Sequence, residues 1–127
     1  MDKKIKVMVI DDSTTIRKSA DLFLKQAGFE VIVVENGFDA LAKVIDERPD
    51  IVFIDVMMPK LDGYQTCQII KQNQDFKDLP IIILSSKDGL IDKARGKIVG
   101  SNEYLTKPFS KESIVEAVNK YTKHLVS

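Results

Sequence analysis

Short, unbroken apolar runs alternate along this chain with longer stretches whose apolar residues recur every three or four positions. "IKVMVI" (5–10), "EVIVV" (30–34), "DIVFID" (50–55), "PIIIL" (80–84) and "EYLT" (103–106) read as five strands. Between them the period lengthens. Ile16, Ala20, Phe23 and Ala27 share one side of a helix that Gly28 is placed to stop. Phe38, Leu41, Val44 and Ile45 mark a second helix, beginning near Asn36 and over by Pro49. Asp62 is an N-cap for a third that runs through Ile69 and Ile70. A fourth spans about 88–99, and Ser110 caps a last one with Ile114, Val118, Tyr121 and Leu125 on one face.

Strand and helix in alternation predict βαβ units around a parallel sheet. Strands that are apolar throughout belong to a sheet covered on both faces. The expected class is α/β: a flavodoxin-like, doubly wound (βα)5 fold, with a five-stranded parallel sheet in the order 2-1-3-4-5 and helices on both faces. In that order strands one and three are neighbours where the winding reverses. Ligands of such folds bind there, beyond the carboxyl ends of the strands.

Length and charge narrow the function classes. A chain of 127 residues suits one domain, 1–127, with a sizeable core. Lys+Arg and Asp+Glu balance at 19 each, which gives no broad attraction to nucleic acid or to an anionic membrane. The N-terminal apolar run is too short for a signal peptide, and no stretch approaches the ~20 apolar residues of a membrane span. Cys67 is the single cysteine and is expected in the core. The expectation is a cytoplasmic, monomeric domain. No helix-turn-helix follows the last helix, so its output should be protein binding.

The acids carry the chemistry. Asp11 and Asp12 end the first strand and Asp55 ends the third, so the fold brings all of them to one crevice. Two carboxylates ~4 Å apart repel by about 4 kcal/mol at an effective dielectric of ~20. Any one of them could be a helix cap or a solvated loop acid, but three at converging strand ends call for a cation. All-oxygen ligation with open positions suits Mg²⁺. Ser85 ends strand four and Lys107 follows strand five at the same edge. A lysine, a hydroxyl and a divalent cation around one carboxylate are what a phosphoryl group requires. Asp55 is then the nucleophile.

"VIDDS", "IDVMMPKLDG", "LSS" and "YLTKPF" resemble, in order and spacing, the motifs of the response-regulator receiver domain. The resemblance covers essentially the whole chain. It implies a phosphoacceptor at Asp55 charged by a histidine kinase, and no enzyme in the ordinary sense, although the domain assists its own phosphorylation and dephosphorylation. Carried over by position, Asp12, Asp55 and the backbone carbonyl of Met57 would ligate Mg²⁺, with Asp11 acting through a bound water. Ser85 would be the switch hydroxyl, Tyr104 the switch aromatic and Lys107 the phosphate-binding lysine. A signalling face would form from the fourth helix, the fifth strand and the last helix. Within the family, "LDGYQTC", "SSKDGLIDKARGKIVGS" and "YLTKPFSKE" are similar to CheY-like regulators of type IV pilus twitching motility, which implies a downstream protein target in pilus machinery.

Some positions depart from the family or stay outside its motifs. Ser85 stands where Thr is commoner, and Met57 and Lys87 occupy variable positions. The Lys107–Pro108 bond is cis in related domains. Met57 and Met58 are expected to fill gaps beneath the loop, Gly63 to serve a tight helix start, and His124 to be solvated. Lys93, Arg95 and Lys97 read as a solvated face. Gly96 weakens the fourth helix, whose apolar side is Leu90, Ile91, Ala94 and Ile98, so two positions of that helix could lie close in energy. A Mg²⁺-dependent aspartyl-phosphate phosphatase and a flavodoxin-like FMN binder are the rival readings. The first wants an acid where Met57 stands, and the second a phosphate-cradling loop where "DDSTT" places acids.

Overall fold

In a computed structural model, which describes residues 4–86, 94 and 99–125, five strands form one parallel sheet in the order β2-β1-β3-β4-β5. The strands are β1 (Lys6–Ile10), β2 (Glu30–Val34), β3 (Ile51–Asp55), β4 (Ile81–Ser85) and β5 (Glu103–Thr106). Four described helices flank them: α1 (Thr14–Gln26), α2 (Gly37–Glu47), α3 (Gly63–Gln72) and α4 (Lys111–Thr122). The expected fold and strand order are those observed. The helix expected over 88–99, with Leu90, Ile91, Gly96 and Ile98, falls outside the described residues apart from Ala94 and Val99. Lys87, Lys93, Arg95 and Lys97 do too. No described helix is long and apolar enough to cross a membrane.

Why the central strands are so apolar is visible in the packing. Side chains alternate across a strand, so each central strand feeds two cores. Val7, Val9, Ile51, Phe53, Ile82 and Leu84 pack on one side with Ala20 and Leu24 of α1 and Ile114 and Val118 of α4. Met8, Ile10, Val52, Ile54, Ile81 and Ile83 pack on the other with Ala40 and Val44 of α2 and Cys67 and Ile70 of α3. Burial pushes the Cys67 thiol up to about 11 despite the opposing charge of Lys71. It is a core thiol, and unreactive at neutral pH.

The helix signals work as chemistry. Ser13, Asn36, Asp62 and Ser110 each accept an N–H of the first turn, and Asp62 with Gln65 and Ser110 with Ser113 close reciprocal capping boxes. Gly28, at φ 93, ends α1 in the left-handed region that glycine enters without cost. Two short 3₁₀ turns, Gln74–Phe76 and Lys123–Leu125, leave no periodic trace in the sequence.

Candidate functional site

Parallel pairing puts the ends of β1, β3, β4 and β5 along one edge. Ile10 of β1 lies beside Ile54 of β3, Asp55 beside Leu84, and Ser85 beside Thr106. Each chain segment leaving that edge therefore delivers its polar residue to the same cleft. The carboxylates of Asp11, Asp12 and Asp55 have oxygen atoms all within 4.8 Å of one another. Asp11 is fully buried and Asp55 nearly so, whereas Asp12 is exposed.

Lys107 answers part of this charge. Its Nζ donates to Asp55 Oδ1 at 2.9 Å and to Asp11 Oδ2 at 3.1 Å. The Lys107 backbone N–H donates to the Ser85 carbonyl at 2.7 Å, which ties the loop after β5 to the end of β4. The following Lys107–Pro108 bond is cis, as expected. Burial raises the Asp55 carboxyl above its ordinary 3.8; the Lys107 hydrogen bond opposes that, Asp11 reinforces it, and a hydrogen bond from the Met57 backbone N–H opposes it. Burial pulls the Lys107 ammonium down, but the hydrogen bond to Asp55 and the charge of Asp11 more than offset it, so its pKa ends raised.

Asp11 is held on every side. Its N–H donates to the Val34 carbonyl at 3.0 Å, and its Oδ1 accepts the Ser13 N–H at 2.8 Å. Gly63 explains how α3 can start so close to Asp55. A Cβ at Gly63 would overlap the Asp55 carbonyl oxygen, and the Gly63 N–H donates to the Val56 carbonyl at 3.1 Å. Ser85 is buried, and on β4 it shares a sheet face with Ile83, the register partner of Tyr104. Tyr104 packs half-buried against the core of that same face.

Every expected site residue thus reaches this edge or the strand face leading from it. Met57 differs in one respect: its side chain is 67% exposed, whereas Met58 is buried. Only Met58 fills a gap, because the chain turns out of the sheet at Val56 and Met57 faces outward from the cleft rim. The sequence reading missed Arg17, whose Nη1 donates to the Asp11 carbonyl at 2.7 Å. No side-chain pattern announces a contact to a backbone oxygen.

Among the described residues, three carboxylates meet one ammonium in this cluster, an excess of two negative charges. An all-oxygen donor set with that excess fits a hard divalent cation.

A doubly wound parallel fold with this acid–lysine cleft defines a signalling receiver. The chain belongs to the response regulator receiver domain family, whose model matches residues 7–119. Among individual proteins it is 61% identical over 117 residues to Protein PilG of Pseudomonas aeruginosa, covering 92% of this chain and 87% of that one. The solved chemotaxis protein CheY4 of Vibrio cholerae superposes with a TM-score of 0.90 at 32% identity, over 94% of this chain and 99% of that one. The receiver domain of a sensor histidine kinase from Pseudomonas aeruginosa PAO1, solved with a magnesium ion in its active-site cleft, shares the fold. Its TM-score is 0.88 at 23% identity, over 95% of this chain and 99% of that one. The chain is a receiver domain of the two-component, chemosensory type.

Proposed function

We propose that this receiver is a switch thrown by phosphorylation of Asp55, with a histidine kinase as donor and a protein as target. One observation carries the reading: among the described residues a single ammonium, Lys107, bridges Asp55 and Asp11 beside a third acid in a cleft with an excess of negative charge. Lys107 fixes Asp55 Oδ1 and with it the direction in which the carboxylate meets an incoming phosphorus. A new P–O bond forms on Asp55 as the P–N bond of the phosphohistidine breaks, its electron pair returning to the imidazole. Asp12, Asp55 and the Met57 carbonyl would hold Mg²⁺, with Asp11 one water away. Bound there, the ion supplies charge stabilisation to the phosphoryl oxygens. Lys107 and the Ser85 hydroxyl donate to the same oxygens.

Ser85 drawn toward the phosphoryl would vacate space for the Tyr104 ring, since both lie on one sheet face. That movement would reshape the surface along β5 and α4, where a target docks. The likeness to twitching-motility regulators extends the reading to control of type IV pili. Incubation with acetyl phosphate and Mg²⁺ should add one phosphoryl mass to the wild-type chain and none to Asp55→Asn. Labelling of the variant at the wild-type rate would reject Asp55 as acceptor. Multiple turnover on small phosphate esters would point to a phosphatase instead.

A further inference from the structure

We propose that Arg17 is a positioning residue for Asp12, fixing the peptide from which that carboxylate reaches the cleft. The inference rests on the reading of the cleft as a Mg²⁺ site, and it concerns what makes the site competent to hold the ion. The two adjacent acids are secured very differently. Asp11 has both carboxylate oxygens engaged, by the Ser13 N–H and by Lys107, and is fully buried. The exposed Asp12 carboxylate has no hydrogen-bond or ion-pair partner among the described residues. Its position is therefore inherited from its backbone.

The peptide joining Asp11 to Asp12 has its carbonyl held by Arg17. Nη1 donates to that oxygen at 2.7 Å, while Nη2 reaches Thr14 Oγ1 at 3.3 Å. The guanidinium fork thus spans from the end of β1 to the first turn of α1. That turn is itself fixed: Ser13 Oγ accepts the Ile16 N–H at 3.3 Å, and the Arg17 N–H donates to the Ser13 carbonyl at 3.0 Å. A rigid helix start, a planar five-donor group and one carbonyl together set the plane of the 11–12 peptide. Rotation of that plane would swing Asp12 out of the cluster.

Charge alone predicts the opposite effect. A guanidinium near a cation site repels the cation, so deleting it should tighten Mg²⁺ binding. Arg17 also lines a cavity of about 400 Å³ whose charged walls are Glu35, Asp39, Asp46 and Lys43. If Arg17 acts by position, its deletion loosens binding in spite of the electrostatic gain. The sign of the change separates the two accounts.

The test is titration calorimetry of Mg²⁺ into the full chain and into Arg17→Met and Arg17→Lys, with melting in EDTA as the check on folding. Partners that orient metal ligands are worth 10–100-fold in affinity. We expect Arg17→Met to bind about tenfold more weakly, with Arg17→Lys, which keeps the charge but not the fork, in between. The Asp12 amide, followed by ¹⁵N NMR without metal, should shift or broaden in both variants. Unchanged or tighter Mg²⁺ binding by Arg17→Met overturns the proposal. Should that variant fail to fold, Arg17→Lys decides alone: weakened binding at constant charge supports positioning, and undiminished binding overturns it. A wild-type chain that binds no Mg²⁺ rejects the metal reading and this inference with it, whereas wild-type binding unaffected by either variant rejects only the inference.

Discussion

Asp55 and Lys107 form an ion pair whose two partners fare differently. The lysine side chain is 16% exposed and the aspartate 5%, so the acid bears the heavier loss of solvation. Its folded pKa lies above 3.8 because burial outweighs the help of Lys107. The sign for stability follows from proton binding. The folded state holds the Asp55 proton more tightly than the unfolded one, so stability falls as pH rises from 3.8 through the raised folded value. Above that window the ionised carboxylate is a standing cost. Asp55→Asn in EDTA should therefore be more stable than wild type near neutral pH, and the advantage should shrink toward zero at pH 3. Urea unfolding of both proteins at the two pH values measures it. A variant less stable than wild type at pH 7 would mean that Lys107 contributes more than burial costs. At Gly63 the constraint is steric. Gly63→Ala must push α3 from the end of β3, at a cost of about 1–3 kcal/mol. Acetyl phosphate labelling should fall with the stability, because the atom displaced is the Asp55 carbonyl.

On α1, two leucines two positions apart face in opposite directions. Leu24 is fully buried against the sheet, and Leu22 is 54% exposed. Leu24→Ala should cost about 2–5 kcal/mol, and Leu22→Ala no more than about 0.5 kcal/mol, both read from urea midpoints at constant slope. The sequence does not separate these two. Periodicity locates a helix well but aims its face loosely, as Ile16, Ala20, Phe23 and Ala27 show: Ala20 is buried, Ile16 and Phe23 are half-buried, and Ala27 is exposed. On α2 the residues turned inward are Gly37, Ala40 and Val44, while Phe38 and Ile45 are more than half exposed. The physical reason is proximity. A Cβ at Gly37 would collide with Thr66 of α3 and press on the Leu61 carbonyl, so small residues line the contact and larger ones turn outward. The central strands were legible almost to the residue, because burial on both faces leaves little room for a polar position before their carboxyl ends, whereas the half-exposed edge strands keep Glu30, Glu103 and Thr106. The acids were legible for the complementary reason: Asp11 and Asp12 directly follow an apolar strand, and Asp55 is the last residue of one. What the sequence hid is backbone chemistry, namely the Arg17 contact to a carbonyl and the approach of Gly63 to Asp55.

At the scale of the molecule, a self-repelling cluster joins the ends of separate strands, and a cation that relieves it should stiffen the whole. A ligand at 100 times its dissociation constant adds about 2.7 kcal/mol to the folded state. Millimolar Mg²⁺ should therefore raise the melting temperature of wild type and raise that of Asp55→Asn much less. A melting curve indifferent to Mg²⁺ would count against a metal in the cleft. Lys107 has a further consequence, because it meets Asp11 across 96 residues of chain and Asp55 across 52. β5, which delivers the lysine, is the outermost strand of its side of the sheet and the last to be synthesised. A nascent chain on the ribosome, or one clipped before β5, can carry all three acids and still lack the group that steadies them. Assembly of the acid–lysine cluster is in this way deferred until synthesis has passed β5.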